Sequence, residues 1–125
     1  HRTDPEAVIA LADVCLLTSE REGLPRVLVQ YAAAGKAMVV SDLPGVRDLV
    51  EHDVSALITP SDDVAAAART AVKLLADPAE RARLAAKAAA LDLGPWSASA
   101  MMTQIDAAYA EALRTSPRRR RRRAP

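Results

Sequence analysis

The chain has 125 residues, half of them apolar but only 2% aromatic, with one cysteine and a formal charge of +1. This length fits one small domain or part of a larger protein. A lone cysteine excludes an internal disulfide, and no apolar run approaches the roughly 18 residues of a membrane-spanning helix. The two histidines, His1 and His52, lie far apart in the sequence, so no zinc-ligand spacing occurs and no metal site is expected.

The first part of the chain predicts a helix followed by a strand. Asp4-Pro5-Glu6 is typical of a helix start, because Asp is a good N-cap and Pro suits the first helical position. This helix should run to about Ala12. The apolar run at 14–17 then predicts a strand buried on both faces of a parallel sheet. Its Cys15 is interpreted as a buried, reduced thiol, which favours a cytoplasmic location.

A second helix and strand follow a polar loop at residues 18–23. The helix is predicted to begin near Leu24-Pro25 and to end at Gly35, a residue type that often terminates helices. Residues 37–41 predict a second strand. Pro44-Gly45 then indicates a turn into a short helix at 46–50.

The rest of the chain predicts one more strand and three helices. The strand covers 56–59, and a helix running to about Ala76 follows the acidic residues at 62 and 63. Asp77 and Glu80 have the spacing of a capping box, which predicts another helix start. After a break at Gly94-Pro95, the last helix should span 97–114.

Alternating strands and helices predict an α/β fold with a partial, Rossmann-like parallel sheet and flanking helices. Three strands are few for a covered sheet, so we expect further strands upstream of His1 and interpret the chain as a fragment. The predicted organisation is a partial Rossmann-like domain at 1–94, a C-terminal helix at 95–115 and a disordered polybasic tail at 116–125.

The loop-to-helix segment from Glu22 to Gln30 is the strongest candidate for a ligand site. In parallel sheets, ligands bind at the carboxyl ends of the strands, where helix starts offer free N–H groups to phosphates. Gly23 allows a ligand to approach the backbone closely. Glu22 and Gln30 are roughly 10–12 Å apart along the helix axis, about the reach of a diphosphate with a sugar at each end. A solvated loop and an ordinary amphipathic helix remain the alternative.

Two segments of the chain resemble one known domain. They are residues 12–30, with the Glu-Gly-Leu-Pro turn at 22–25, and residues 33–50, with the turn at 43–48. They look like the C-terminal nucleotide-binding domain of GT-B fold glycosyltransferases of the family 4 type. The resemblance covers about residues 3–114. It implies a retaining enzyme that transfers a sugar from a nucleoside-diphosphate sugar, with no metal and no cofactor besides that donor substrate.

The resemblance also implies a role for each residue of the segment. Glu22 is the catalytic position and contacts the donor sugar, and Gly23, Leu24 and Pro25 form the turn that holds the diphosphate. Gln30 falls at the ribose position, where the family usually has Glu. Because an amide replaces a charged acceptor there, we expect binding to cost roughly 1–2 kcal/mol.

The family's acceptor-binding N-terminal GT-B domain and its phosphate-clamping cations lie upstream of this stretch. We therefore expect that domain as a partner and expect this chain alone to be inactive. Two alternatives stay open. One is a non-catalytic truncated remnant acting through its exposed helix and basic tail, and the other is a different nucleotide-sugar enzyme on the same fold, such as an epimerase.

Two features near the C-terminus predict interactions. The last helix carries an apolar stripe that needs a partner surface, which predicts self-association when the N-terminal domain is absent. The stripe consists of Met101, Ile105, Tyr109 and Leu113. Tyr31 and Tyr109 are interpreted as core residues, and Trp96 as packing beneath the last helix.

Six of the seventeen basic residues are consecutive arginines, the first Arg118 and the last Arg123, and the other eleven face sixteen acidic residues. This run predicts attraction to an anionic membrane surface, or it is a tolerated tail without function. A peripheral position at a membrane is therefore one expectation. Nucleic-acid binding is not expected, because no aromatic residues are interleaved.

Overall fold

The computed structural model describes residues 3–23 and 25–115. The chain divides into two compact units, His1–Leu91 and Asp92–Pro125. The predicted division into 1–94, 95–115 and 116–125 stays a prediction, and the six arginines of the tail lie outside the described residues.

A parallel three-stranded sheet forms the centre of the first unit. Its strands are β1 (Val14–Leu17), β2 (Ala37–Ser41) and β3 (Leu57–Thr59), in the spatial order β1-β2-β3. Val14 lies beside Ala37, and Val39 lies beside Leu57. Together with the helices between them, these strands confirm the predicted α/β class with a partial parallel sheet.

Four helices flank this sheet: α1 (Pro5–Leu11), α2 (Arg26–Ala33), α3 (Val64–Ala76) and α4 (Pro78–Ala89). All five residues of β2 are buried, because helices cover this middle strand. Leu74 of α3 and Leu84 of α4 meet Val39 of β2 in one apolar cluster. Full burial of a leucine side chain contributes about 1.5–3 kcal/mol, so this cluster is a main source of the unit's stability.

The prediction that β1 is buried on both faces was wrong. Cys15 and Leu17 are buried on one face, but Leu16, on the other face, is 47% exposed. Val14, on the same face as Leu16, packs against the cluster formed by α3 and α4. That cluster therefore covers the start of β1 on this face and leaves its later part partly open.

Aspartate side chains cap two of the helices. The Asp63 carboxylate accepts a hydrogen bond of 2.7 Å from the Ala66 N–H at the start of α3, and Asp77 accepts one of 2.9 Å from the Glu80 N–H in α4. The predicted capping box in α4 is only half formed. The carboxylate of Glu80 accepts hydrogen bonds from Arg83 instead of closing the box.

The predicted short helix at 46–50 was also wrong. Residues 44–49 form hydrogen-bonded turns, in which the Val46 N–H donates to the Leu43 carbonyl and the Leu49 N–H donates to the Val46 carbonyl. The Val50 N–H also donates to the Val46 carbonyl, but this single turn is not continued into a helix. The turns are held by burial of their apolar side chains: Leu43, Val46, Leu49 and Val50.

The second unit contains a short 3₁₀ helix, Gly94–Trp96, and α5 (Ala98–Thr115). The Ser97 hydroxyl accepts a hydrogen bond from the Ala100 N–H at the start of α5. The predicted stripe is exposed along α5, and Tyr109, predicted as a core residue, is 68% exposed. Among the described residues, no helix is both long enough and apolar enough to cross a membrane.

Candidate functional site

The loop at residues 18–23 follows β1 at the carboxyl edge of the sheet. Because the three strands are parallel, the segments after β2 and β3 begin at this same edge. This edge is where a doubly wound sheet binds its ligands. The structure thus places Glu22 and Gly23 where the sequence predicted a site.

Glu22 is held in position by its own loop. The Ser19 hydroxyl donates a hydrogen bond of 2.8 Å to Oε1 of Glu22, and the Glu22 side chain is half-buried. An ionised carboxylate can accept about four hydrogen bonds, so this contact leaves acceptor capacity for a ligand. Glu20, two residues earlier, is exposed.

The start of α2 lacks a side-chain cap. Pro25 occupies the N-cap position, and no side chain among the described residues accepts a hydrogen bond from the first turn. A proline ring offers no acceptor, so the first N–H groups of α2, beginning with Arg26, are not satisfied by a cap. Pro25 itself is buried, and its carbonyl accepts a 2.9 Å hydrogen bond from the Leu28 N–H. Leu24, also a predicted site residue, lies outside the described residues.

Space around Gly23 suits a ligand that approaches the backbone. Gly23 is exposed, and within the described parts of the chain a methyl group added at its Cα would meet no atom within 4 Å. The backbone is therefore open to direct contact on the side of Gly23 where a side chain would otherwise project.

Gln30 lies on the exposed face of α2, with Arg26 one turn before it. Leu28 and Ala32 are buried on the opposite face and fix the rotation of the helix. The helix is also tied to β1, because the Tyr31 hydroxyl donates to the Leu16 carbonyl at 3.1 Å. Tyr31 is therefore a half-buried tether between the two elements that frame the loop.

A contact between two glycines was not foreseen from the sequence. A methyl group added to Gly45 would lie 2.9 Å from the carbonyl oxygen of Gly23. The turn after β2 therefore packs directly on the loop after β1. Pro44-Gly45 indicated a turn in the sequence, but nothing local indicated its partner.

An ion pair on the same turn was also missed. Arg47 donates two hydrogen bonds to the Asp42 carboxylate, of 2.9 and 2.7 Å. The Arg47 guanidinium lowers the pKa of Asp42, with a smaller lowering from nearby His52. Asp48 lies exposed in the same turns.

Cys15 is a free, buried thiol, as its apolar surroundings predicted. Burial raises its pKa, which keeps the thiol protonated and unreactive at neutral pH. Across residues 3–23 and 25–115, no group of three His, Cys, Asp or Glu side chains has an arrangement that could hold a metal ion.

Comparison of the sequence with known proteins identifies a family and several relatives of this chain. The family model for "Glycosyl transferases group 1" matches residues 1–91. Alpha-D-kanosaminyltransferase of Streptomyces kanamyceticus is 30% identical over 105 residues, which make up 84% of this chain and 27% of that protein. D-inositol 3-phosphate glycosyltransferase of Xylanimonas cellulosilytica is 34% identical over 110 residues, or 86% of this chain and 26% of that protein.

Solved structures show the same fold. The crystal structure of Anabaena Alr3699/HepE in complex with UDP-glucose is similar with a TM-score of 0.77 and 25% identity. The similarity covers 88% of this chain and 30% of HepE. The complex of HepE with UDP gives a TM-score of 0.75. This chain thus spans about a quarter to a third of the length of these relatives.

Proposed function

This chain belongs to the glycosyl transferases group 1, and we propose that it forms the donor-binding region of a retaining glycosyltransferase. In this proposal the enzyme transfers a sugar from a nucleoside-diphosphate sugar to an acceptor. The structures of HepE with UDP and with UDP-glucose support a donor of this chemical class.

One observation carries the proposal: Glu22 and Gly23 stand just before a helix start that no side chain of residues 3–23 or 25–115 caps. A diphosphate supplies the anionic oxygens that such a helix start lacks, and the helix dipole favours their charge. The half-buried carboxylate of Glu22 then lies on the sugar side of the phosphates. The exposed Gln30, farther along α2, lies on the nucleoside side.

The proposed chemistry is mainly electrostatic. When the bond between the sugar and the diphosphate breaks, negative charge develops on the departing phosphate oxygens. The amides of the turn at Gly23, Leu24 and Pro25 and at the start of α2 stabilise that charge, except that Pro25 has no N–H to donate. Glu22 accepts hydrogen bonds from sugar hydroxyls and so fixes the orientation of the reacting carbon, and Gln30 contacts the ribose.

The acceptor site belongs, in this proposal, to an N-terminal GT-B domain. This chain spans about a quarter of the kanosaminyltransferase and of the inositol-phosphate glycosyltransferase, so most of such an enzyme lies outside it. We propose that this chain binds the donor, that the N-terminal domain closes over the sugar and supplies the acceptor, and that this chain alone therefore turns over no substrate.

Paired glutamate variants test the proposed donor site. We would titrate the full chain by calorimetry with UDP, GDP and ADP, and with UDP-glucose, GDP-mannose and ADP-glucose. Glu22→Ala should weaken binding of the sugar nucleotide by about 1.5–3 kcal/mol, the range for hydrogen bonds to a charged group, while binding of the bare diphosphate changes little. Glu20→Ala, which removes an exposed carboxylate two residues away, is the matched control and should bind as the wild type does.

Two outcomes would contradict this proposal. One is a wild-type chain that binds none of the six nucleotides, and the other is an equal loss in the Glu20 and Glu22 variants.

A further inference from the structure

Gly45 has a backbone conformation that few other residues adopt. Its φ is +81°, in the region where glycine carries no steric penalty and other residues are strained. Gly45 also lacks space for a side chain, since a Cβ there would lie 2.9 Å from the Gly23 carbonyl oxygen. Both features require glycine at this position, and the second one links it to the proposed donor loop.

The turn that presents Gly45 is firmly held. Leu43 and Val46, on either side of Pro44 and Gly45, are buried in the core. Asp42 and Arg47 close the turn across its ends with two hydrogen bonds of 2.7 and 2.9 Å. A side chain at position 45 therefore cannot be accommodated by a simple retreat of this turn.

The loop on the other side of the contact has fewer anchors. Ser19 binds Glu22, and the buried Pro25 anchors the end of the loop, while Gly23 between them is exposed. A side chain at position 45 would therefore clash with the Gly23 carbonyl and displace it, rather than displace the turn that holds position 45. Because Glu22 precedes Gly23 directly, its carboxylate would move with that peptide.

We propose that Gly45 is a positioning residue of the donor site, which it supports by holding the Gly23 peptide beside Glu22. This inference rests on the proposed function. It assigns to the turn after β2 a role in nucleotide affinity, although the turn itself need not touch the nucleotide. The groups of a binding site must be held within about 0.5 Å of their productive geometry, so a displaced Gly23 peptide should weaken binding measurably.

Gly35 offers a matched control within the same chain. It also has a positive φ, of +59°, and ends α2 far along the chain from Gly23. A Cβ at Gly35 would meet the Ala89 Cβ at 3.4 Å, an ordinary contact. Gly35→Ala therefore introduces the same type of backbone strain as Gly45→Ala, without pressing on the Gly23 carbonyl.

The test measures the affinity for a nucleoside diphosphate and the unfolding temperature of the full chain carrying Gly45→Ala or Gly35→Ala. The probe is the diphosphate among UDP, GDP and ADP that the wild type binds most tightly, titrated well below each variant's unfolding temperature. Gly45→Ala should weaken binding by about tenfold, and amide signals of Glu22 and Gly23 should shift in heteronuclear NMR spectra. Gly35→Ala should bind within about twofold of the wild type, as expected for an independent site.

A second pair of variants covers the case in which Gly45→Ala does not fold. Asparagine tolerates a positive φ, so Gly45→Asn keeps the backbone conformation while still placing a Cβ against Gly23. Gly35→Asn is its control. Wild-type affinity in a folded Gly45 variant, or an equal loss in the Gly35 variant, would overturn the inference while leaving the proposed function intact. A wild-type chain that binds no diphosphate would instead remove the proposed function and this inference with it.

Discussion

The N-cap residues of helices α3 and α4 are aspartates, whereas the N-cap residue of α2 is a proline. Asp63 and Asp77 each accept a hydrogen bond from a backbone N–H in the first turn of their helix. Pro25 accepts none through its side chain, so the described part of the chain leaves the first turn of α2 uncapped. Under the proposed function, this difference separates two tasks in one small unit: the α3 and α4 starts are satisfied internally and stabilise the fold, while the α2 start binds a ligand.

The largest expected effect is a loss of stability when the packing of α3 and α4 on the sheet is disturbed. Leu84 of α4 is 0% exposed in the apolar cluster under β2. Leu84→Ala should lower the free energy of unfolding by about 3 kcal/mol, because a cavity remains where the side chain was removed. Denaturant titration measures this loss. Leu75→Ala, at a position 51% exposed on α3, is the control and should cost much less; equal losses would contradict the placement of the core.

A substitution at Gln30 that should increase nucleotide affinity tests the proposed ligand site along α2. Gln30→Glu replaces the amide by the carboxylate that the family resemblance implies at this position. The nucleoside diphosphate should bind more tightly by about 1–2 kcal/mol, because charge-assisted hydrogen bonds to the ribose hydroxyls replace neutral ones. Calorimetry with the 2′,3′-dideoxy nucleotide should show no gain. An equal gain with both nucleotides would place the effect elsewhere than at the ribose.

Removing one aspartate cap sharpens the contrast between the helix starts. Asp63→Ala should lower the free energy of unfolding by about 1 kcal/mol, the usual effect of losing an N-cap, and leave nucleotide affinity unchanged. Asp62→Ala changes an exposed neighbour and serves as the control for altered charge. Weaker nucleotide binding in the Asp63 variant would show that the two helix starts do not have separate tasks.

The smallest expected effect concerns the pH dependence of stability. Arg47 holds the pKa of Asp42 below its ordinary value in the folded chain. The resulting stabilisation is present above the unfolded-state pKa of about 3.9 and disappears as the pH falls through the lower folded-state value. Thermal unfolding between pH 2 and 6 should therefore show a slightly smaller acid-induced loss in Asp42→Asn than in the wild type. Asp48→Asn, on the same turn, is the control.

Local patterns predicted much of the fold. The strands at 14–17 and 37–41 were correct, because continuous apolar runs between turn residues are typical of strands in parallel sheets. Gly35 was correctly identified as a helix terminator, and its φ of +59° gives the reason. The aspartate N-cap at 77 followed from residue type and spacing, and Asp63 was one of the polar residues predicted to start α3.

The remaining features depend on contacts between residues far apart in the sequence. The packing of Gly45 on Gly23 joins two loops separated by a helix and a strand, and no periodicity reveals it. Arg83 of α4 similarly donates hydrogen bonds to the carboxylate and the carbonyl of Asp53. Burial was misjudged where it depends on neighbours, at Leu16 and Tyr109. For the site, the sequence predicted its position and candidate residues but not what holds the loop.

The central claim is that a nucleotide binds at the start of α2 and not at the starts of α3 and α4. The most direct test compares these three helix starts in one NMR titration of the full chain with UDP, GDP and ADP. We expect one nucleotide to shift the amide signals of Gly23, Arg26 and Val27, because the phosphates fill the uncapped first turn of α2. The signals of Ala66 and Glu80, whose N–H groups already donate to Asp63 and Asp77, should stay unchanged. The account would be contradicted if no nucleotide shifted the α2 signals, or if all three helix starts responded alike.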